Sequence, residues 1–207
     1  MLETLETERL ILRRFNKDDW QDLYEYLSDE AVVRYEPYGV FTEEECKQAA
    51  ISRANQEFFW AICLKESGSV AVELAGAASG AAEAVAGKLI GNIYFQQQNP
   101  PEFMCWSLGY VLNPRYQGQG YATEGCQAIL EHGFTKMHVR RVAAMCNPEN
   151  TPSWNLLERL GLRREGHFIK HKFFRRDAQG NPIWTDTLLY AVLAEEWQKT
   201  TFVRGAK

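Results

Sequence analysis

No run in this 207-residue sequence approaches the ~18 consecutive apolar residues that a membrane-crossing helix needs, so no membrane partner is expected. The opening, Met1 to Arg14, mixes charges with apolar residues, unlike a secretory leader, and a cytoplasmic location is expected. Excess positive charge is missing too. Lys and Arg number 23 against 27 Asp and Glu, a formal net charge of −4, whereas a general nucleic-acid binder needs a basic footprint. No nucleic-acid partner is therefore expected. Cysteine is sparse: Cys46, Cys63, Cys105, Cys126 and Cys146 are odd in number and scattered, with no C-x-x-C pair. They read as free thiols in a reducing compartment, and no metal site is expected. There is no G-x-S-x-G elbow for a serine nucleophile, and Gly87-Lys88 lacks the upstream Gly and following Ser or Thr of a P-loop.

What is present suffices for a packed core. Hydrophobic residues make up 45% of the chain and charged residues 24%, outside the range of intrinsic disorder. The length favours one domain over 1–207. Strands are expected at Arg9–Phe15, Phe59–Leu64, Leu89–Phe95, Cys105–Leu112, Arg141–Cys146 and Leu188–Leu193. Asn16 can cap a first helix carrying Trp20, Leu23, Tyr24 and Leu27 at helical spacing, and Thr42 with Glu45 forms a capping box for a second that runs to about Phe58. A third helix buries Ala122, Cys126, Ile129, Leu130, Gly133, Phe134 and Met137. Thr151 before Pro152 reads as the cap of a fourth, which Gly161 closes. Strands with helices between some of them predict a mixed α/β sheet covered by helices. The Ala- and Gly-rich segment 67–87 reads as an insertion between two strands. The tryptophans are expected to anchor the core, and the basic, aromatic run His171–Arg176 reads as a solvated hairpin edge.

The turn after the fourth expected strand is Asn113-Pro-Arg-Tyr-Gln-Gly-Gln-Gly-Tyr-Ala-Thr-Glu124. Gly118 and Gly120 alternate just before a helix, whose first N–H groups have no internal partner. Those donors and the helix dipole suit a phosphate or pyrophosphate, while a plain tight turn is the alternative. A dinucleotide fingerprint would need glycine where Thr123 stands.

Arg115-x-x-Gly118-x-Gly120 resembles the pyrophosphate signature of the GNAT superfamily of N-acetyltransferases. Around it, Glu6-Thr-Glu-Arg-Leu-Ile-Leu-Arg13, Lys88-Leu-Ile-Gly-Asn-Ile93, Leu108-Gly-Tyr-Val-Leu112, Asn147-Pro-Glu-Asn150-Thr-Pro-Ser153 with Leu160-Gly-Leu162, and Asp186-Thr-Leu-Leu-Tyr190 resemble the ribosomal-protein-acetyltransferase (RimJ/RimL) branch. The matches run in order over about residues 5–197. The resemblance implies an α/β GNAT fold, with a mostly antiparallel sheet splayed between its fourth and fifth strands.

The resemblance also implies roles. Main chain of Tyr110, Val111 and Leu112 would pair with the pantetheine arm of acetyl-CoA. Arg115 and the amides of Gln117, Gly118, Gln119, Gly120, Tyr121 and Ala122 would hold the pyrophosphate. Asn150 would bond the arm, and Asn147 would brace the loop. Ser153 takes the place of the family's acid, since the usual Tyr position is Leu157. The usual base position is Ser107, leaving Glu102 or Glu36 to act through water. Tyr35, Glu36 and Tyr38 would line the acceptor pocket. The implied reaction is acetyl transfer to a primary amine, on a small molecule or a protein N-terminus, by direct attack in a ternary complex with no metal. A longer acyl-CoA, a non-catalytic CoA-binding module and a homodimer remain compatible with the residues.

Overall fold

The computed structural model describes residues 4–65 and 87–197. The strands on either side of segment 67–87 pair with each other, but the segment read as an insertion lies, apart from Gly87, outside the described residues. Eight strands form one sheet: β1 (Leu5–Glu6), β2 (Leu10–Arg13), β3 (Phe59–Leu64), β4 (Leu89–Gln97), β5 (Cys105–Leu112), β6 (Arg141–Cys146), β7 (Arg163–Lys172) and β8 (Thr185–Leu193). Their order is β1-β2-β3-β4-β5-β6-β8-β7, and every pairing is antiparallel except β5 with β6. That parallel pair needs a crossover, which is helix α4 (Tyr121–Thr135).

Helix α4 and α5 (Thr151–Arg159) cover one face of the sheet; α1 (Trp20–Leu27), α2 (Glu30–Val33) and α3 (Glu43–Ala54) lie on the other side. On the α4 side, Cys126, Ile129, Leu130 and Phe134 pack on Leu12, Ile62, Ile93 and Leu108. On the other, Leu23, Tyr26 and Leu27 with Cys46 and Ala50 pack on Ala61, Cys63, Leu89 and Val111.

The caps mostly follow the sequence. Thr42 Oγ1 accepts from Glu45 N at 3.3 Å, and Glu45 returns the bond from Thr42 N at 2.7 Å. Asn16 and Asp19 form the same reciprocal pair ahead of α1. Four expectations change. Helix α3 ends at Ala54, short of Phe58. Asn150, not Thr151, caps α5, because its side chain accepts from Ser153 N. Met137 lies past the end of α4 and is exposed, and Trp184 is half exposed on the hairpin rather than in the core.

Candidate active site

The site begins where β5 and β6 part. Their register runs Cys105 with Arg141, Trp106 with Val142 and Ser107 with Ala143, and stops there, although both strands continue. On its other edge β5 stays paired with β4 from Trp106 to Leu112. The sheet is therefore forked beyond Ser107. Antiparallel bonding alternates along a strand, and it fixes which main-chain groups enter the fork. Asn113 N donates to Ile90 O at 2.8 Å and Gln98 N to Cys105 O at 2.7 Å, so odd-numbered residues of β5 bond to β4. Val111 thus directs its amide and carbonyl at Asn92, away from the fork, which corrects its expected role. Leu108, Tyr110 and Leu112 direct theirs into the fork, and Leu112 O accepts from Gln117 Nε2 at 3.0 Å.

At the open end of the fork sits the glycine turn. Gly118 (φ +73°) and Gly120 (φ +86°) occupy the left-handed region, where a side chain is strained. Gln117 N donates to Pro114 O, so it leaves the expected donor set. The amides of Gly118, Gln119, Gly120, Tyr121, Ala122 and Thr123 have no partner among the described residues; the first helical bond is Glu124 N to Gly120 O at 3.0 Å. Six adjacent donors at a helix start, with Arg115 on the same turn, form a cradle for an anion.

The cradle is anchored at both ends. Asn113 Oδ1 accepts from Arg115 N at 3.1 Å, while its Nδ2 donates to Glu25, which also binds Lys88 Nζ at 2.5 Å. Glu124 accepts from Thr7 Oγ1 at 2.6 Å and from Arg9 Nε at 2.7 Å. Arg9 also donates to Gln119 O at 3.0 Å and stacks over Tyr121 at 4.5 Å. These bonds fix the turn to α1 and to the β1–β2 connection before any ligand arrives. An open groove of about 730 Å³ touches the cradle at Gly120 and Thr123; its wall carries Glu8, Glu131 and Arg159 beside Glu124, which is paired with Arg9.

Ser153 stands on the first turn of α5, beside β5. The Tyr110 hydroxyl lies 2.9 Å from both Ser153 O and Ser153 Oγ, so the phenol fixes the serine. Burial holds the Tyr110 hydroxyl well above its ordinary pKa, so it stays protonated. Cys146 adjoins Ser153, but burial pushes its thiol up to about 11, and it supplies no thiolate at neutral pH. Leu157 is buried in the core. Asn147 Oδ1 accepts from Glu149 N at 2.8 Å and braces the loop. Asn150 Oδ1 is engaged in capping α5.

The opposite face of the fork carries a different chemistry. Loop 34–41 crosses it. Glu36 is half-buried there, and desolvation lifts its carboxyl to about 7; Tyr38 and the Arg53 guanidinium beside it pull the other way. Asn92 on β4, opposite Val111, accepts from Tyr26 Oη at 2.9 Å and Arg53 at 3.2 Å. The loop is tied down twice. Arg175 donates to Val33 O (3.0 Å), Tyr38 O (2.8 Å) and Glu36 O (3.4 Å). Tyr35 Oη donates to Glu149 O at 3.4 Å, beside the Arg34–Glu149 ion pair. Arg175 is therefore a clamp rather than part of a solvated edge. Glu102 is not brought to this group: it lies exposed on the turn before β5, at the end where β5 and β6 remain paired. Among the described residues no cluster of His, Cys, Asp and Glu could hold a metal, and no helix is long and apolar enough to cross a membrane. His167 pairs with Asp186 at 2.8 Å, and His171 stacks on Phe168.

A sheet forked between parallel strands, with bare amides at its mouth, can take an extended ligand that ends in an anion. The chain belongs to the GNAT acetyltransferase family: the family described as "Acetyltransferase (GNAT) domain" matches residues 9–163. It is 37% identical over 193 residues to "Uncharacterized N-acetyltransferase YnaD" of Bacillus subtilis, covering 92% of this chain and 97% of that one. A solved GNAT-family acetyltransferase from Bacillus anthracis superposes with a TM-score of 0.74 at 33% identity, over 93% of this chain and 99% of that one. The [Ribosomal protein uS5]-alanine N-acetyltransferase of Escherichia coli matches at 29% identity over 110 residues, about half of each chain. The protein is an N-acetyltransferase of this family, in which acetyl-CoA is the acyl donor.

Proposed function

We propose that this enzyme transfers the acetyl group of acetyl-CoA to a primary amine held in a ternary complex, with no acyl-enzyme. The observation that carries the reading is the run of unpartnered amides from Gly118 to Thr123 at the mouth of the fork. Those donors fit a diphosphate, and the main chain of Leu108, Tyr110 and Leu112 fits an extended amide-bearing arm. Bound there, acetyl-CoA supplies the activated acyl group. An N–H of β5 stabilises the negative charge that develops on the acyl oxygen.

Glu36 and the aromatic rings of Tyr35 and Tyr38 receive the amine from the other face. The amine must be neutral to attack, and a carboxyl that titrates near 7 is suited to take its proton, directly or through water. Ser153, held by Tyr110, donates to the departing sulfur. A thiol leaves readily, its pKa being about 8.5, so this donation contributes modestly. Glu102 is left out of the mechanism by its place on the exposed turn. The acceptor is a small amine or a protein N-terminus; among relatives, one is named for alanine of ribosomal protein uS5 and another for spermidine.

A thiol-release assay with acetyl-CoA against a panel of amines, with product mass read in parallel, tests this. The expected product is the amine plus one acetyl group; a longer acyl donor would declare itself in that mass. Absence of thiol release from every amine, with no rise in melting temperature on adding acetyl-CoA, would refute it.

A further inference from the structure

The face of the fork proposed to take the acceptor holds a cation that has no counter-ion among the described residues. Lys172, the last residue of β7, is half-buried, and among the described residues it has no carboxylate partner. Its Nζ rests 3.9 Å from Met145 Sδ and 5.6 Å from the centre of the Phe174 ring. Met145 lies on the arm of β6 that leaves β5, two residues past the last paired position, ~7 Å along the strand. Its neighbours Ala144 and Cys146 face the α4 side, so Met145 faces the acceptor side. Three residues on, Arg175 binds the carbonyls of Val33, Glu36 and Tyr38. The segment that carries Lys172 is thereby tied to the loop that carries Glu36.

Burial with no compensating charge depresses the Lys172 pKa. An ammonium held among a thioether and a ring loses hydration and gains only a weak cation–π contact in return. A ligand that brought its own anion would remove that cost. The surroundings also choose the anion. One ammonium supplies one positive charge, which balances a monovalent carboxylate and leaves a phosphate group, at about −2 near neutral pH, only half compensated.

We propose that Lys172 is an anion subsite for the acceptor, and that the amine acetylated belongs to a small molecule that also carries a carboxylate. The inference rests on the transferase reading above and narrows its acceptor. Glu36 and Lys172 then select a zwitterion: the carboxyl takes the ammonium end, and the lysine takes the carboxylate end.

Matched pairs test it: phenylalanine against phenethylamine and lysine against cadaverine, assayed by thiol release with wild type, Lys172→Met and Lys172→Arg. A charge-assisted bond predicts that wild type favours the carboxylated partner about tenfold in kcat/KM, mainly through KM. Lys172→Met is expected to erase that preference, and Lys172→Arg to retain most of it. Equal or better use of the decarboxylated amines by wild type, or a preference that survives Lys172→Met, would overturn the proposal. A binding arm separates the two readings. With CoA present, N-acetylphenylalanine should raise the melting temperature of wild type and not of Lys172→Met. That result without thiol release from any amine would sink the transferase reading and spare the subsite; no difference between the two proteins would sink the subsite.

Discussion

Gly91 is where the β5 arm of the fork is set. A Cβ built on Gly91 would lie 2.5 Å from Val111 O, 2.8 Å from Leu112 Cδ1 and 3.0 Å from Leu112 Cα. Real Cβ atoms keep at least 3.0 Å, so Gly91→Ala forces the strands apart by about half an ångström, against backbone that cannot swing aside. The close contacts are all on β5, so the strain falls on the β4–β5 pairing beside the fork. Overpacking of this kind costs ~1–3 kcal/mol. For a chain of this size that corresponds to a fall in Tm of roughly 2–12 °C. Because the displaced residues carry the main chain of Leu112 into the fork, the KM for acetyl-CoA should rise severalfold, with the acceptor KM little changed. Thermal melts and initial rates measure both. A variant with wild-type Tm and wild-type acetyl-CoA KM would show that the close contact does not position the fork.

Glu36 predicts a pH signature. With its carboxyl titrating at about 7, kcat/KM for the acceptor should climb as pH rises through 7, and Glu36→Gln should flatten that limb. The stability sign is opposite. The unfolded chain releases this proton near 4.5, while the fold keeps it to about 7, so the folded state binds more protons and stability falls with rising pH across that window. Urea titrations at pH 4.5 and 7.5 should show that slope reduced in Glu36→Gln. Arg175→Ala removes three bonds to the acceptor loop and should raise the acceptor KM severalfold while leaving acetyl-CoA affinity unchanged by calorimetry. Ser153→Ala should lower kcat by about tenfold or less, and Tyr110→Phe should lower it in the same direction without altering acetyl-CoA binding; steady-state rates decide, and an unchanged kcat in both removes the pair from proton donation.

Local signals carried much of this structure. The strands that bracket segment 67–87, the capping box at Thr42 and the glycine turn before α4 all follow from spacing and turn chemistry within a few residues. The bare amides of the turn were legible in part, because Gly118 and Gly120 stand just before a helix whose first N–H groups have no internal partner, while the loss of Gln117 N to Pro114 O shows only in the fold. What stayed hidden depends on register or on distant partners. Val111 and Tyr110 are neighbours in sequence, and only the pairing with β4 decides which one faces the fork. Tyr110 meets Ser153 across 43 positions. Arg175 reaches back 142 positions to Val33, and nothing in the run around it marks it as a clamp rather than a surface charge. Thr7 and Arg9 lie in the family-like opening segment, yet their bonds to Glu124, on α4 behind the anion cradle, appear only in the folded chain. Glu36 and Glu102 are both carboxylates in loops; burial separates them, and burial is a property of the fold.

The most direct test of the account is a titration of isotope-labelled protein with CoA, followed by amide resonances. The amides of Gly118 to Thr123, together with Leu108, Tyr110 and Leu112, should move first and furthest, while Gln117 and Val111, whose main-chain groups already face bonds within the chain, move less. Saturable binding that leaves Gly118 to Thr123 unmoved would contradict the anion cradle, and with it the placement of the coenzyme in the fork.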